Sequence, residues 1–237
     1  MKGLRESLEQ KLAGGSIPII PDIKIRSPKE GNLFLNITPL EAAQLMEKLG
    51  APAISVVSEQ KYFGGSLQLL EEVALAVSLP VLRKDFIKEE NDLYRTKNCG
   101  ATAVLLICAC LSEKRLRMLY DLAIGLSLEP LVEVHTRDEL ALADSIGAKL
   151  IGINNRQILA LEKDNGSVSV TQKLAPSAPQ EAFLISESGI TTPEQAKAAI
   201  KAGAGSVLVG TAIWKSPDPG EFYVAMSRGE GKKNEQA

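Results

Sequence analysis

Short apolar runs alternate along the chain with longer segments in which apolar residues recur every three or four positions. The runs are IPIIPDIK (17–24), AISVVS (53–58), VLRKDF (81–86), AVLLIC (103–108), EPLVEV (129–134), LIGIN (150–154), FLISES (183–188) and SVLVG (206–210). Several are nearly continuous in Val, Ile and Leu, the pattern of strands covered on both faces. Between them, Thr38-Pro39 caps a segment whose Leu40, Ala43, Leu45, Met46 and Leu49 share one helical face before Gly50. Similar periods run through 66–78, 88–99, 112–126, 136–147 and 193–202, the last opening on Thr192-Pro193-Glu194 and stopping at Gly203. Strands alternating with helices predict parallel βαβ units, and eight of them predict an α/β protein built as one (β/α)8 TIM barrel. An open doubly wound sheet would need fewer strands, or a glycine-rich dinucleotide loop after the first, and no such loop is present.

Two segments fall outside the alternation. In residues 1–16, Leu4, Leu8 and Leu12 form a stripe that predicts a short amphipathic helix covering part of the barrel, which would itself occupy 17–228. The tail 229–237 is polar and aperiodic and is expected to be disordered.

A length of 237 residues is close to the ~250 of one such barrel. A formal net charge of −2 gives no electrostatic reason to expect nucleic acid or an anionic membrane as partner, so any anion must be caught locally. The first sixteen residues carry charges throughout and no apolar signal core, and no apolar stretch approaches the ~20 residues of a membrane span; the expectation is a cytoplasmic protein. Cys99, Cys108 and Cys110 make no disulfide framework and read as space-filling thiols. The single histidine, His135, has no second ligand cluster to join, so neither a metal nor a cofactor is expected. His135 is expected on the opposite side of its strand from Glu133, in a structural role.

The polar residues that close the runs carry the chemistry. Barrel active sites are built at the C-terminal ends of the strands. Lys24, Lys84, Glu133, Asn154 and Glu187-Ser188 all fall there, with Asp22 two residues before Lys24 and so on the same face. Ammonium groups facing carboxylates in one mouth can donate and receive protons. Ser188-Gly189 and Gly210-Thr211 stand after the last two strands, where barrels hold phosphate through close backbone approach and helix N–H groups. Arg156 is a further anion or hydroxyl contact, and Asn155 is expected to make the turn. Phe63 and Phe86 follow strands two and three and can stack on an aromatic ring or pack under a loop.

Lys24-x-x-Ser-Pro28, SVVSEQKYFGGS (55–66), LPVLRKDFI (79–87), LVEVH (131–135), GINNR (152–156), SESGI (186–190) and VLVG (207–210), in this order, resemble the indole-3-glycerol phosphate synthase family from about Ile17 to Trp214. The resemblance implies a carbon–carbon lyase of tryptophan biosynthesis that needs no cofactor. It would close the ring of 1-(2-carboxyphenylamino)-1-deoxyribulose 5-phosphate, with loss of carbon dioxide and water. By the same resemblance Lys84 would be the general acid and Lys24 would hold the anthranilate carboxylate. Glu133 would balance developing charge or move protons, and Asn154, Arg156, Glu187 and Ser188 would position sugar hydroxyls. Ser27, Gly189, Gly210 and Thr211 would hold the phosphate, with Phe63, Phe86 and Leu105 walling the aromatic pocket. The implied partner is a small phosphorylated substrate, and the implied state a monomer or weak homodimer, alone or with other tryptophan-pathway enzymes. Asp22 departs from the family's usual Glu, and the segment ahead of Ile17 is shorter than the family's. The alternatives are a divergent barrel acting on another phosphorylated sugar and a non-catalytic subunit that binds a phosphorylated ligand.

Overall fold

In a computed structural model that describes residues 2–156 and 167–229, eight parallel strands close on themselves. They are β1 (Ile19–Ile23), β2 (Ile54–Val57), β3 (Val81–Lys84), β4 (Ala103–Ile107), β5 (Glu129–Val134), β6 (Leu150–Asn154), β7 (Phe183–Glu187) and β8 (Ser206–Val209). Each pairs with the next, and β1 closes the ring by pairing with β8 (Ile19 opposite Val207) as well as β2 (Asp22 opposite Ser55). The fold is a (β/α)8 barrel.

Alternation along the strands sorts side chains into two cores. Ile20, Leu82, Leu105, Leu131, Ile185 and Leu208 point inward and fill the barrel. Val104, Leu106, Val132, Val134, Ile151 and Ile153 point outward and meet the helices. The helices are α1 (Leu4–Ala13), α2 (Pro39–Lys48), α3 (Leu67–Ala76), α4 (Glu90–Asn98), α5 (Glu113–Gly125), α6 (Arg137–Ser145), α7 (Ser169–Leu174), α8 (Pro193–Lys201), α9 (Thr211–Trp214) and α10 (Pro219–Arg228). Side-chain oxygens of Thr38, Ser66, Ser112, Thr136 and Thr192 cap the starts of α2, α3, α5, α6 and α8, satisfying N–H groups that the helix itself leaves open. Leu4 and Leu8 of α1 join the barrel's inner core and close its lower end, while Leu12 is 37 % exposed.

Three features depart from the periodicity reading. Helix α7 has six residues, too few for a period to register. Helix α10, which the periodicity did not show, is opened by Asp218, whose carboxylate accepts the Glu221 N–H at 2.9 Å and caps it. The loop after β1 carries a small antiparallel hairpin, Arg26–Ser27 with Gly31–Asn32. Gly229, at φ 65°, ends α10; the tail from 230 onward lies outside the described residues.

Candidate active site

The barrel's twist and register bring five strand ends together at the upper rim. Asp22, Lys24, Glu133, Asn154 and Glu187 are all buried there. Glu133 stands opposite Gly152, and Asn154 opposite Glu187. The Lys84 ammonium lies 3.4 Å from Glu187 Oε2 and 4.0 Å from Glu133 Oε2. Both carboxylates are fully buried, and among the described residues no group besides Lys84 donates to their oxygens. Burial pushes the Glu187 carboxyl up to about 7; the Lys84 charge opposes this, while Glu133 and Asp22 reinforce it. One ammonium thus serves two buried carboxylates, an arrangement poised for proton transfer. The Asp22 carboxylate is tied down instead, accepting the Ser55 hydroxyl at 2.7 Å.

Toward strands two to four the rim opens into a cleft. Phe63, Phe86, Leu105 and Ile107 give it an apolar wall, and Lys24, Lys84, Asn154 and Arg156 its polar edge. Lys24 Nζ sits 5.6 Å from the centre of the Phe63 ring. The Glu59 carboxylate fixes this loop, accepting N–H bonds from Lys61 (2.9 Å), Tyr62 (2.7 Å) and Phe63 (3.0 Å).

On the opposite side a second cavity is lined by Lys24, Lys84, Arg156, Ser188, Gly189, Gly210 and Thr211. Ser188 (φ 63°) and Gly189 (φ 71°) are both left-handed, a strained turn for a serine and one that exposes backbone to the cavity. A side chain at Gly210 would begin 3.2 Å from Asp22 Cβ, so glycine is what lets β8 lie against β1 here. Ser27 does not line this cavity. It sits on the hairpin and lines a neighbouring cleft that shares Arg156, Thr191, Thr211 and Ala212 with it.

Sequence reading missed the residues that hold these groups in place. A Cβ at Gly152 would fall 1.9 Å from Glu187 Oε1, so the carboxylate lies over β6 only because that residue is glycine. Asn155, read as a turn residue, is a buried clamp. Its amide donates to Ser186 Oγ (3.0 Å), Glu187 O (3.0 Å) and Ser188 O (3.2 Å), while its oxygen accepts from Thr171 N and Oγ1 (both 3.0 Å). It ties the tip of β7 to α7. Arg83 likewise braces the end of β3, donating to Ser58 Oγ (2.9 Å), Thr96 Oγ1 (2.9 Å) and Asp85 Oδ2 (2.9 Å).

His135 is the clear correction. It lies two positions after Glu133, and strand alternation keeps both on one side rather than opposite sides. Its Nε2 lies 3.5 Å from Glu133 Oε1 and its Nδ1 3.2 Å from Glu139 Oε2. Cys99, Cys108 and Cys110 are free, and burial pushes the Cys108 thiol up to about 12. Among the described residues no group of His, Cys, Asp and Glu could hold a metal ion, and no helix is long and apolar enough to cross a membrane.

The profile of the indole-3-glycerol phosphate synthase family matches residues 1–225. Proteins named indole-3-glycerol phosphate synthase are similar over most of their length. That of Pyrococcus furiosus is 46 % identical over 205 residues, 86 % of this chain and 89 % of the relative. That of Thermococcus kodakarensis is 45 % identical over 204 residues, with the same coverage. That of Carboxydothermus hydrogenoformans is 42 % identical over 219 residues, 92 % of this chain and 82 % of the relative.

Proposed function

Because the chain belongs to the indole-3-glycerol phosphate synthase family, we propose that its upper rim closes the indole ring of 1-(2-carboxyphenylamino)-1-deoxyribulose 5-phosphate, releasing carbon dioxide and water. The observation that carries this reading is the Lys84 ammonium, held between Glu187 and Glu133 where the apolar cleft meets the glycine-lined cavity.

The substrate lays its aryl ring against Phe63, Phe86 and Leu105, and its ring carboxylate meets Lys24. Its phosphate lies in the opposite cavity against backbone N–H groups near Gly189, Gly210 and Thr211, with Ser27 in the adjoining cleft. These two anchors stretch the ribulose chain across Lys84. As the carboxylate-bearing ring carbon attacks the ribulose carbonyl, Lys84 protonates the carbonyl oxygen that becomes the hydroxyl. Loss of carbon dioxide restores aromaticity. The hydroxyl then departs as water, and a proton leaves the neighbouring carbon. Glu133 balances the positive charge that builds on the anilino nitrogen and accepts a proton in this last stage. Asn154, Arg156, Glu187 and Ser188 orient the sugar hydroxyls, and Asp22 supports Lys24. The carboxylate of Asp22 is one methylene shorter than the family's usual Glu, and the Ser55 hydroxyl fixes it.

The test is turnover. Purified protein mixed with the carboxyphenylamino-deoxyribulose phosphate gives indole fluorescence with release of one carbon dioxide per product. A folded protein that binds the substrate but yields no indole would reassign the rim to another phosphorylated sugar.

A further inference from the structure

The strongest unassigned cluster lies one layer behind the rim. The Glu139 carboxylate, on the first turn of α6, accepts the His135 backbone N–H at 2.5 Å and faces the imidazole Nδ1 at 3.2 Å. Hydrogen bonds from His135 hold Glu139 below the usual carboxylate range even though burial works the other way. An ionised carboxylate only accepts, so Nδ1 carries a proton. The other ring nitrogen, Nε2, is buried without a hydrogen-bond partner among the described residues and faces Glu133 Oε1, which has none among them either. A bare nitrogen lone pair facing a carboxylate at 3.5 Å is repulsive, and one proton between them removes the conflict.

We propose that His135, oriented by Glu139, is a positioning residue for Glu133, standing behind it as an imidazolium that keeps its carboxylate ionised and aimed at Lys84. The functional consequence rests on the reading of the rim given above; the arrangement itself does not. The charged groups around the ring come from several elements: Glu133 on β5, Glu139 on α6, Glu187 on β7, Lys84 on β3, and the thiols of Cys108 and Cys110 beyond β4. Burial disfavours the imidazolium, but Glu139, Glu133 and Glu187 together outweigh it and raise its proton affinity above that of an ordinary histidine. His135 thereby supplies the second positive charge that two buried carboxylates on a single lysine need.

His135 is the only histidine in the sequence, so its ring nitrogens can be followed by 15N NMR without ambiguity in the whole protein. Both nitrogens should be protonated at pH 7, and Glu133→Gln should move the titration midpoint down by about one pH unit. A neutral ring at pH 7 whose midpoint ignores Glu133→Gln would overturn the proposal. Kinetics give the functional arm. His135→Asn should lower kcat about tenfold with KM within about twofold, and move the acid limb of the kcat profile about one pH unit upward. His135→Gln, which can donate an N–H but carries no charge, should recover part of kcat and leave the acid limb displaced. Unchanged kcat and an unmoved profile in folded variants would reduce His135 to packing. Absence of turnover in the wild type would instead fault the reading of the rim, and the NMR result would still stand.

Discussion

Strand β5 carries a glutamate at each end, and the two have opposite surroundings. Glu129, at the lower end, accepts the N–H of Leu4 and, at 3.1 Å, the N–H of Arg5, the open donors of the first turn of α1. Gly3 makes room for it, since a Cβ there would fall 2.5 Å from Glu129 Oε1. Four residues on, Glu133 is completely buried and, among the described residues, accepts no hydrogen bond from a backbone N–H; the Lys84 ammonium stands 4.0 Å and the His135 ring 3.5 Å from it. The lower carboxylate is satisfied and fastens a helix over the barrel floor. The upper one keeps its basicity unspent, at a cost in stability that the apolar layers between them must offset. Residue type alone says nothing about which role a carboxylate has; its donors decide.

The sharpest way to test this contrast is at Lys84, the charge the upper carboxylates share. Lys84→Met keeps most of the apolar volume and should cut kcat by ~10²–10⁴-fold while the protein still melts cooperatively. Near-normal turnover would mean that the proton donor lies elsewhere. At the anion cavity, Gly210→Val forces methyl groups against Asp22 and should raise KM for the phosphorylated substrate by ~10–100-fold, the loss of one or two charge-assisted bonds. Unaltered affinity for a phosphate-bearing product analogue would displace the phosphate from this loop.

The pH dependence of stability separates the two ends more quietly. Glu187 titrates at about 7 in the folded protein, above an unfolded glutamate, so its contribution is full at low pH and is lost as pH rises through 7. His135, also raised, acts in the same direction. Urea unfolding should therefore show wild-type stability falling by ~2 kcal/mol from pH 5 to pH 8. Glu187→Gln should flatten most of that slope and leave the smaller part due to His135. A slope unchanged by Glu187→Gln would show that another group titrates. At the floor, Glu129→Ala should cost ~1 kcal/mol at every pH in this window, as for a lost helix cap, with kcat unchanged. A fall in kcat without a fall in stability would break the division between the ends.

The barrel was legible because runs such as AVLLIC are apolar on both faces, and because Thr-Pro signals mark helix starts. What stayed hidden was mostly relational. Gly152 looks like any strand glycine until Glu187, thirty-five positions later, folds over it. Asn155 looks like a turn residue until Thr171 and Ser186 surround its amide. His135 belongs with Glu133 because a step of two positions on a strand returns to the same face, and that step brings an imidazole up to Glu133. The candidate residues at strand ends were visible because strand order and the C-terminal rim rule together say where they meet. The supporting contacts depend on register across strands, which no local pattern contains.

Closure of the ring has a consequence in time. Ile19 of β1 finds its second neighbour only in Val207, 188 residues later in the chain. At a synthesis rate of ~5–20 residues per second, one flank of β1 waits roughly 10–40 s on the ribosome for its partner, with N–H and C=O groups uncovered. An uncovered strand flank invites pairing with any other extended chain nearby. The strand that completes the glycine-lined cavity is thus also the one that ends this interval of exposure.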